Sequence, residues 1–302
     1  YLLDKKLNFK KIIIFSRDEL KQYNMKKKFP ENKYKSLRYF IGDVRDKSRL
    51  NRAFEGVNYV IHAAALKQVD TAEYNPSEFI KTNINGAENI IDASLNNNVE
   101  KIICLSTDKA TAPINLYGAT KLCSDKLFSS ANNIVGKKSI VFSIVRYGNV
   151  MSSRGSVIPF FKSINPKNVY PITHKKMTRF NITLEESVKM VLLALEKCQG
   201  GEIFIPKMES YRILDLVKAI NAKAKIKVVG IRPGEKINEE LITPNDSYNT
   251  FDLGGYYVIA NPAIAKVFKF YAKYKKFKIG DSYNSLVNDK FLNVNQLKKL
   301  LN

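Results

Sequence analysis

Histidine and cysteine are scarce in this chain, at two and three residues among 302. Cys104, Cys123 and Cys198 are widely spaced and odd in number, so they fit reduced thiols of a cytoplasmic protein and match neither a disulfide framework nor a zinc pattern. With His62 and His174 alone, a His-rich metal site or a Ser–His hydrolase triad has little to be built from, and no metal is expected. No apolar stretch approaches the roughly 20 residues needed to cross a bilayer, so no membrane partner is expected. Acidic residues are few as well: 28 Asp and Glu stand against 50 Lys and Arg, for a formal charge of +22. Such a charge invites a nucleic-acid reading. The excess, however, is spread over the whole chain and is mostly Lys rather than base-reading Arg. It comes without zinc-finger spacing, basic heptads or an aromatic RNA-binding motif. Nucleic acid is therefore not expected as a partner, whereas an anionic small molecule would suit the field.

What the chain does have is 45% hydrophobic residues, ample for a core. Over its first two-thirds they form short apolar runs that alternate with helical patterns. Strands are predicted over 11–15, 38–41, 59–62, 101–106 and 140–145, and helices over 47–54, 76–96 and 115–131. That alternation is the mark of a doubly wound parallel sheet, the Rossmann-like α/β class. Beyond residue 149 the pattern is less regular. Helices are expected there over 154–164, 184–197 and 214–222, and strands over 202–205, 227–230 and 256–259. We read residues 1–150 as a nucleotide-binding domain and 151–302 as mainly a smaller α/β substrate lobe.

Tyr117 and Lys121 lie four apart in the third helix, and about 3.6 residues per turn puts both on one face. An ammonium beside a phenol favours the phenolate, so the Tyr117 pKa is expected below its usual value of about 10. Such a Tyr can take the proton of an alcohol while a nicotinamide takes the hydride. The spacing alone more often marks a solvated helix face, but the residues just upstream change the balance. The strand over 101–106 ends at Thr107-Asp108-Lys109, and open parallel sheets bind ligands outside the carboxyl ends of their strands. A hydroxyl, an acid and an amine are thus expected beside the Tyr/Lys pair, rather than merely capping the next turn.

These residues sit among other ordered motifs: Gly42-Asp-Val-Arg-Asp46, His62-Ala-Ala-Ala-Leu-Lys67, Asn115-Leu-Tyr-Gly-Ala-Thr-Lys121, Arg146-Tyr-Gly-Asn-Val150, Arg154-Gly-Ser-Val157, Met177-Thr-Arg-Phe180 and Arg232-Pro-Gly-Glu-Lys236. Together they resemble the extended short-chain dehydrogenase/reductase superfamily, and within it the UDP-N-acetylglucosamine 4,6-dehydratase (5-inverting) branch. The resemblance runs from about residue 10 to 260. It implies two interleaved lobes, a UDP-N-acetylglucosamine substrate, a homo-oligomer (often a hexamer), and a place at the opening of pseudaminic acid synthesis for flagellin glycosylation. A Rossmann domain should also open with a strand and Gly-x-Gly-x-x-Gly before its first helix. Here Tyr1-Leu-Leu-Asp-Lys5 reads as the end of that helix, so the first strand and glycine loop are expected to be missing and the sheet to lack its middle strand.

Ser16 and Arg17 follow the first predicted strand, where an acid would select NAD and an Arg accommodates the 2′-phosphate of NADP. A hydroxyl and a guanidinium are good phosphate donors, which favours NADP, while the adjacent Asp18 leaves NAD open. By resemblance, Asp43 and Val44 contact the adenine, Ala63, Ala64 and Ala65 form a small-residue loop under the cofactor, and Thr82 and Asn83 face the nicotinamide end. Val150, Tyr117 and Lys121 complete the cofactor set. Lys67, Asn149, Arg154, Val157, Thr178, Arg179 and Arg232 match positions near the UDP-sugar, and Glu235 matches the acid on its uridine ribose.

The reaction so implied is loss of water. Tyr117 takes the carbon-4 hydroxyl proton, Lys121 stabilises the phenolate, and Thr107 bonds the same oxygen. Lys109 then removes the carbon-5 proton while Asp108 protonates the departing carbon-6 hydroxyl. For Lys109 to act as a base its pKa must fall from about 10.4, which desolvation beside Lys121 is expected to supply. Retaining relatives carry Asp-Glu here and epimerases small residues, so Asp108-Lys109 points to the inverting type. Departures from the family pattern are Asn238 for His, Asn181 for an aromatic and Ser152 for Gly. The rival readings are a UDP-sugar 4-epimerase or reductase on the same scaffold, and a non-catalytic remnant without its glycine loop.

Overall fold

Apolar runs too short to make helices become parallel strands. In the computed structural model, which describes residues 1–3, 7, 9–153 and 155–301, they are β1 (Ile12–Ser16), β2 (Leu37–Ile41), β3 (Tyr59–His62), β4 (Lys101–Thr107) and β5 (Val141–Tyr147). β4 and β5 are buried on both faces, with Ile102, Ile103, Cys104, Phe142, Ile144 and Val145 all fully enclosed, as central parallel strands must be. Between the strands run α1 (Glu19–Lys28), α2 (Lys47–Phe54), α3 (Val69–Tyr74), α4 (Pro76–Phe79), α5 (Gly86–Asn96) and α6 (Leu116–Ser130). Asp18, Asp46 and Asn115 cap the amino ends of α1, α2 and α6 with their side-chain oxygens, which supplies acceptors for otherwise unpaired N–H groups.

The single helix predicted over 76–96 is interrupted. Residues Ile80–Asn85 wind as a π-helix between α4 and α5. The wider turn aims Asn83 at the loop after β3, where its amide accepts from Leu66 N–H and donates to Leu66 C=O, both at 2.9 Å, and donates to Thr120 at 3.0 Å. One side chain thereby ties that loop to α6.

The main sheet has seven strands. It runs from β3 through β4 and β5 to β9 (Ile203–Pro206), all parallel, and then adds Tyr256–Ile259, Thr250–Asp252 and Lys275–Lys276 antiparallel. β1 and β2 form a separate parallel pair, and no described residue pairs with the remaining edge of β1 or of β3. Phe15 and Phe40 hold the pair to the rest by packing on a core that includes Leu50, Phe54, Val60, Ile90 and Ile102. The end of a helix expected over 1–5 falls partly on residues 4 and 5, which lie outside the described residues.

Past residue 148 the chain leaves the sheet and returns to it. β6 (Asn149–Val150), β8 (Thr178–Ile182) and β10 (Glu209–Arg212) make a second, three-stranded sheet, and β7 (Val169–Ile172) pairs in parallel with Lys225–Val228. With α7 (Val157–Ser163), α9 (Ile213–Ile220) and the helix Val294–Leu301 they enclose a core of their own, built on Ile158, Phe161, Tyr170, Tyr211, Leu216 and Leu297. α8 (Leu184–Lys197) instead packs Met190, Val191 and Ala194 against Ile103 and Val145 of the main sheet. Likewise the strands predicted over 202–205 and 256–259 and read as part of the lobe, observed at 203–206 and 256–259, belong to the main sheet. No helix among the described residues is long and apolar enough to cross a membrane.

Beneath the strand ends lies a buried ion pair. Asp125 of α6 accepts from Arg146 of β5 at 3.1 Å and from Ser106 of β4 at 2.7 Å, so α6 is pinned to both central strands. This docking brings Gly118 so close to the turn after β4 that an added Cβ would overlap the Lys109 carbonyl oxygen and lie 3.0 Å from Pro113 Cβ. Gly118→Ala should therefore lose about 1–3 kcal/mol in urea unfolding despite alanine's better helix propensity; a gain in stability would show that the turn yields. Ser152 stands at φ 58, the left-handed region that favours glycine. Ser152→Gly should raise unfolding stability by about 0.5–1 kcal/mol, the relief of strain outweighing glycine's extra chain entropy.

Candidate active site

β3, β4 and β5 end side by side, and beyond their carboxyl ends opens a cavity of about 870 Å³. All five residues expected to do chemistry meet there. Thr107, Asp108 and Lys109 leave β4 in a single 3₁₀ turn, Tyr117 and Lys121 come from α6, and all five line the cavity. Lys121 is buried and donates to the Leu105 carbonyl at 2.8 Å, which leaves two ammonium hydrogens for other acceptors.

The Tyr117 phenol does not titrate as expected. Burial raises its pKa above 10, and the opposing pull of Lys121, then Lys109 and a hydrogen bond with Thr107, is too weak to reverse this. At 8% exposure the ring has lost most of the water that would solvate a phenolate. Burial likewise works against the Lys121 charge, yet Cys104, Asp125 and Tyr117 together keep its pKa above the ordinary value. His62, stacked on Phe128, is pushed by burial and by Lys121 down to about 3 and is neutral.

Lys109 overturns a second expectation. Burial alone would lower its pKa, but the Asp108 and Glu239 carboxylates more than compensate and hold it above the usual range. Its ammonium lies 3.1 Å from Asp108 Oδ1 and 3.2 Å from Glu239 Oε1, while Lys121 acts on Tyr117 and His62 instead. A quarter of the Lys109 side chain remains open to the cavity. Asp108 is wholly buried and its pKa is raised, by burial first and then by Glu239, against the pull of Lys109. Its Oδ1 accepts from Thr107 at 2.9 Å, and its Oδ2 is enclosed with no hydrogen-bond partner among the described residues.

The cofactor residues fall into two groups. Ala63, Ala65, Val150, Tyr117 and Lys121 line the cavity, whereas Ala64, Thr82 and Asn83 do not, and Asn83 is occupied in bracing Leu66. Ser16 and Arg17 lie at the carboxyl end of β1, away from the cavity. Arg17 is half-exposed and touches Asp43 at 3.4 Å, and Asp18 caps α1. Asp43 is bound mainly by Arg45, at 2.8 and 3.1 Å, and buried Val44 packs on Gly86. At one end, then, stand a hydroxyl and a largely solvated guanidinium, and at the other an ammonium with two hydrogens to spare. This donor set fits the two ends of a nicotinamide dinucleotide, while the described residues supply no glycine-rich turn for the pyrophosphate between them.

On the substrate side Lys67, Asn149, Val157, Arg179, Arg232 and Glu235 all line the cavity. Burial and the neighbouring Lys109 depress the Lys67 pKa. Asn149 Oδ1 is buried with no hydrogen-bond partner among the described residues. Arg232 and Arg179 both reach Glu235, at 3.2 and 3.5 Å. Thr178 is a different matter. Fully buried, its hydroxyl is spent on Asn238 at 2.8 Å and Ser285 at 2.7 Å, so it braces the wall and does not face the cavity. Arg154 lies outside the described residues. Sequence reasoning missed Glu239, Lys236 and Gln68, all in the lining. The only signal for Glu239 was its place three residues after Lys236 in the Arg-Pro-Gly-Glu-Lys run. No cluster of potential metal ligands is found among the described residues.

Comparison with known proteins follows the same lines. The chain is 52% identical, over 97% of its length and 89% of the relative's, to the UDP-N-acetylglucosamine 4,6-dehydratase (inverting) of Campylobacter jejuni subsp. jejuni serotype O:23/36. It is 44% identical, over 97% of its length and 87% of the relative's, to the UDP-glucose 4-epimerase of Rickettsia akari. Among solved structures it resembles Pen from Bacillus thuringiensis, with a TM-score of 0.87 and 36% identity over 97% of this chain and 90% of that one. The fold is also that of the dTDP-glucose 4,6-dehydratase DesIV of Streptomyces venezuelae, at TM-score 0.69 and 19% identity over 87% and 88% of the two chains. The family described as "Polysaccharide biosynthesis protein" matches residues 2–261, and the chain belongs to that family.

Proposed function

We propose that this protein is an NADP-dependent UDP-N-acetylglucosamine 4,6-dehydratase that inverts carbon 5, with residues 1–150 mainly holding the dinucleotide and 151–302 mainly the sugar nucleotide. The observation that carries the reading is the meeting of two pairs in one cavity: Tyr117 with Lys121, and the buried acid Asp108 with the amine of Lys109. The first pair serves oxidation of an alcohol. The second has no task in epimerisation, which breaks no carbon–oxygen bond, and so weighs against the epimerase named among the relatives.

When bound, the nicotinamide would accept the carbon-4 hydride and return it at carbon 6. The side chains do the rest. Tyr117 takes the carbon-4 hydroxyl proton, Lys121 offsets the charge this leaves on the phenol, and Thr107, once its hydroxyl turns from Asp108, hydrogen-bonds the same oxygen. The raised Asp108 pKa keeps a proton available for the carbon-6 hydroxyl, which departs as water. Lys109 accepts the carbon-5 proton once its own has gone. Carbon 5 regains a proton on its opposite face as the hydride returns to carbon 6, which completes the loss of one water and inverts that centre. Transfer of that proton across 3.1 Å to Asp108 turns an ammonium–carboxylate pair into the amine and acid that elimination needs, at no net change in charge. Arg232 and Arg179 provide forked donors for diphosphate and uracil, and Lys67 adds a charge beside them.

Incubation of the enzyme with NADP and UDP-N-acetylglucosamine should yield a 4-keto-6-deoxy sugar inverted at carbon 5, identified by NMR of the product. Lys109→Ala and Asp108→Asn should each lower kcat by about 10²–10⁴-fold with the fold intact by circular dichroism; turnover unchanged in Lys109→Ala would remove that residue from the mechanism. For the cofactor, Arg17→Ala should weaken NADP binding by about tenfold in a fluorescence titration and leave NAD binding nearly unaltered, since only NADP presents a 2′-phosphate. Equal loss for both would place Arg17 outside cofactor selection.

A further inference from the structure

Glu239 is 2% exposed at the wall of the cavity, and the groups nearest its carboxylate are cations. Oε1 lies 3.2 Å from Lys109 Nζ and 3.7 Å from Arg179 Nε, while Oε2 is buried with no hydrogen-bond partner among the described residues. The backbone carrying it is fixed at both polar groups: its N–H donates to the Ser285 hydroxyl at 2.9 Å and its C=O accepts from Ser285 N–H at 2.8 Å. A buried anion with one oxygen unpaired is costly to a fold. Here the side chain it faces is the cleft amine.

We propose that Glu239 is the positioning residue for that amine: it holds the Lys109 ammonium over the cavity and sets the pH at which Lys109 becomes free to accept a proton. The inference rests on the assignment of Lys109 as the carbon-5 base.

The two carboxylates flanking Lys109 are not equivalent. Asp108 is fully enclosed and Lys109 is its one close cation, whereas Glu239 faces Lys109, Arg179 and, at longer range, Lys236. A proton entering the cluster goes to Asp108, and Glu239 stays ionised. When Asp108 becomes the acid for the leaving hydroxyl, Glu239 is therefore the anion that still orients Lys109. The other charged or titratable groups around Lys109 are Arg179 of β8, Lys67 of the loop after β3, Tyr117 of α6 and Tyr211 of β10. Two of these are cations that favour the free amine, so the Glu239 charge is their counterweight.

The test reads proton abstraction as release of deuterium from carbon 5 of [5-²H]UDP-N-acetylglucosamine by the NADP-loaded enzyme across pH. Reduction of the bound nicotinamide is followed separately by its absorbance, so that any shift in the preceding oxidation is set apart. Loss of the anion in Glu239→Gln makes the ammonium less favourable, so the ascending limb of the profile should move to lower pH by about 1–3 units. Glu239→Asp keeps the charge but withdraws it by one methylene, and its limb should fall between the two. Should the Gln variant fail to fold by circular dichroism, the Asp variant against wild type decides in the same direction. A uniform fall in rate with the limb unmoved would mark Glu239 as purely structural and overturn the proposal. Wild-type enzyme that releases no deuterium and forms no keto sugar would overturn the dehydratase reading itself, and this inference with it.

Discussion

The site depends on how closely α6 approaches the turn that ends β4. Gly118 has no side chain to hold the two apart, and the Asp125–Arg146–Ser106 cluster draws the helix onto β4 and β5 from below. Because Tyr117 and Lys121 flank Gly118 on the helix and Lys109 supplies the carbonyl it rests on, one packing contact sets the spacing of both chemical pairs. Asn115 extends the same arrangement. Its side chain caps α6 through Gly118 N–H at 2.7 Å and donates to Gly234 C=O at 2.8 Å, which ties the Arg-Pro-Gly-Glu loop to the helix.

Charge around Lys109 is balanced locally, although the cavity lining and the chain as a whole carry more cations than anions. Asp108 and Glu239 face Lys109 and Arg179, two anions against two cations in a poorly solvated wall. In such surroundings burial penalises every charged form, and the pattern of partners decides which groups keep theirs. Asp108, with one cation and no solvent, has its pKa raised; Glu239, with more cations, has it lowered. Two chemically similar carboxylates thus acquire opposite pKa shifts, which suits one to the proposed proton exchange and the other to the proposed fixed charge.

The cofactor side is organised differently. β1 with β2 stands apart from the seven-stranded sheet, and the Ala63–Ala65 loop is exposed where the nucleotide would pass. The residues proposed to read the ends of a dinucleotide stand on both sides of that division. The Asn83 clamp on Leu66 keeps the exposed loop in register with α6, which shows why a π-turn, costly in helix regularity, is retained in that position.

Residue patterns by themselves determined the five strands through residue 147 and the helices near 47–54 and 115–131, though not α1 or α3, together with the pairing of Tyr117 with Lys121 and the placement of Thr107-Asp108-Lys109 at a strand end. Each follows from local periodicity: a helix fixes what lies four residues apart, and a buried run fixes where a strand must stop. Tertiary structure decided everything that depends on distant neighbours. The short β7, β8 and β10 carry no periodic signal and form only because partners far along the chain complete their cores. Thr178 turned from ligand contact to wall brace because Asn238 and Ser285 reach it first. The pKa directions of Tyr117 and Lys109 also reversed, since burial depth and the Glu239 carboxylate, some 130 residues downstream of Lys109, are set by the fold. Electrostatics in a closed cavity is a property of three-dimensional neighbours, which no local spacing reveals.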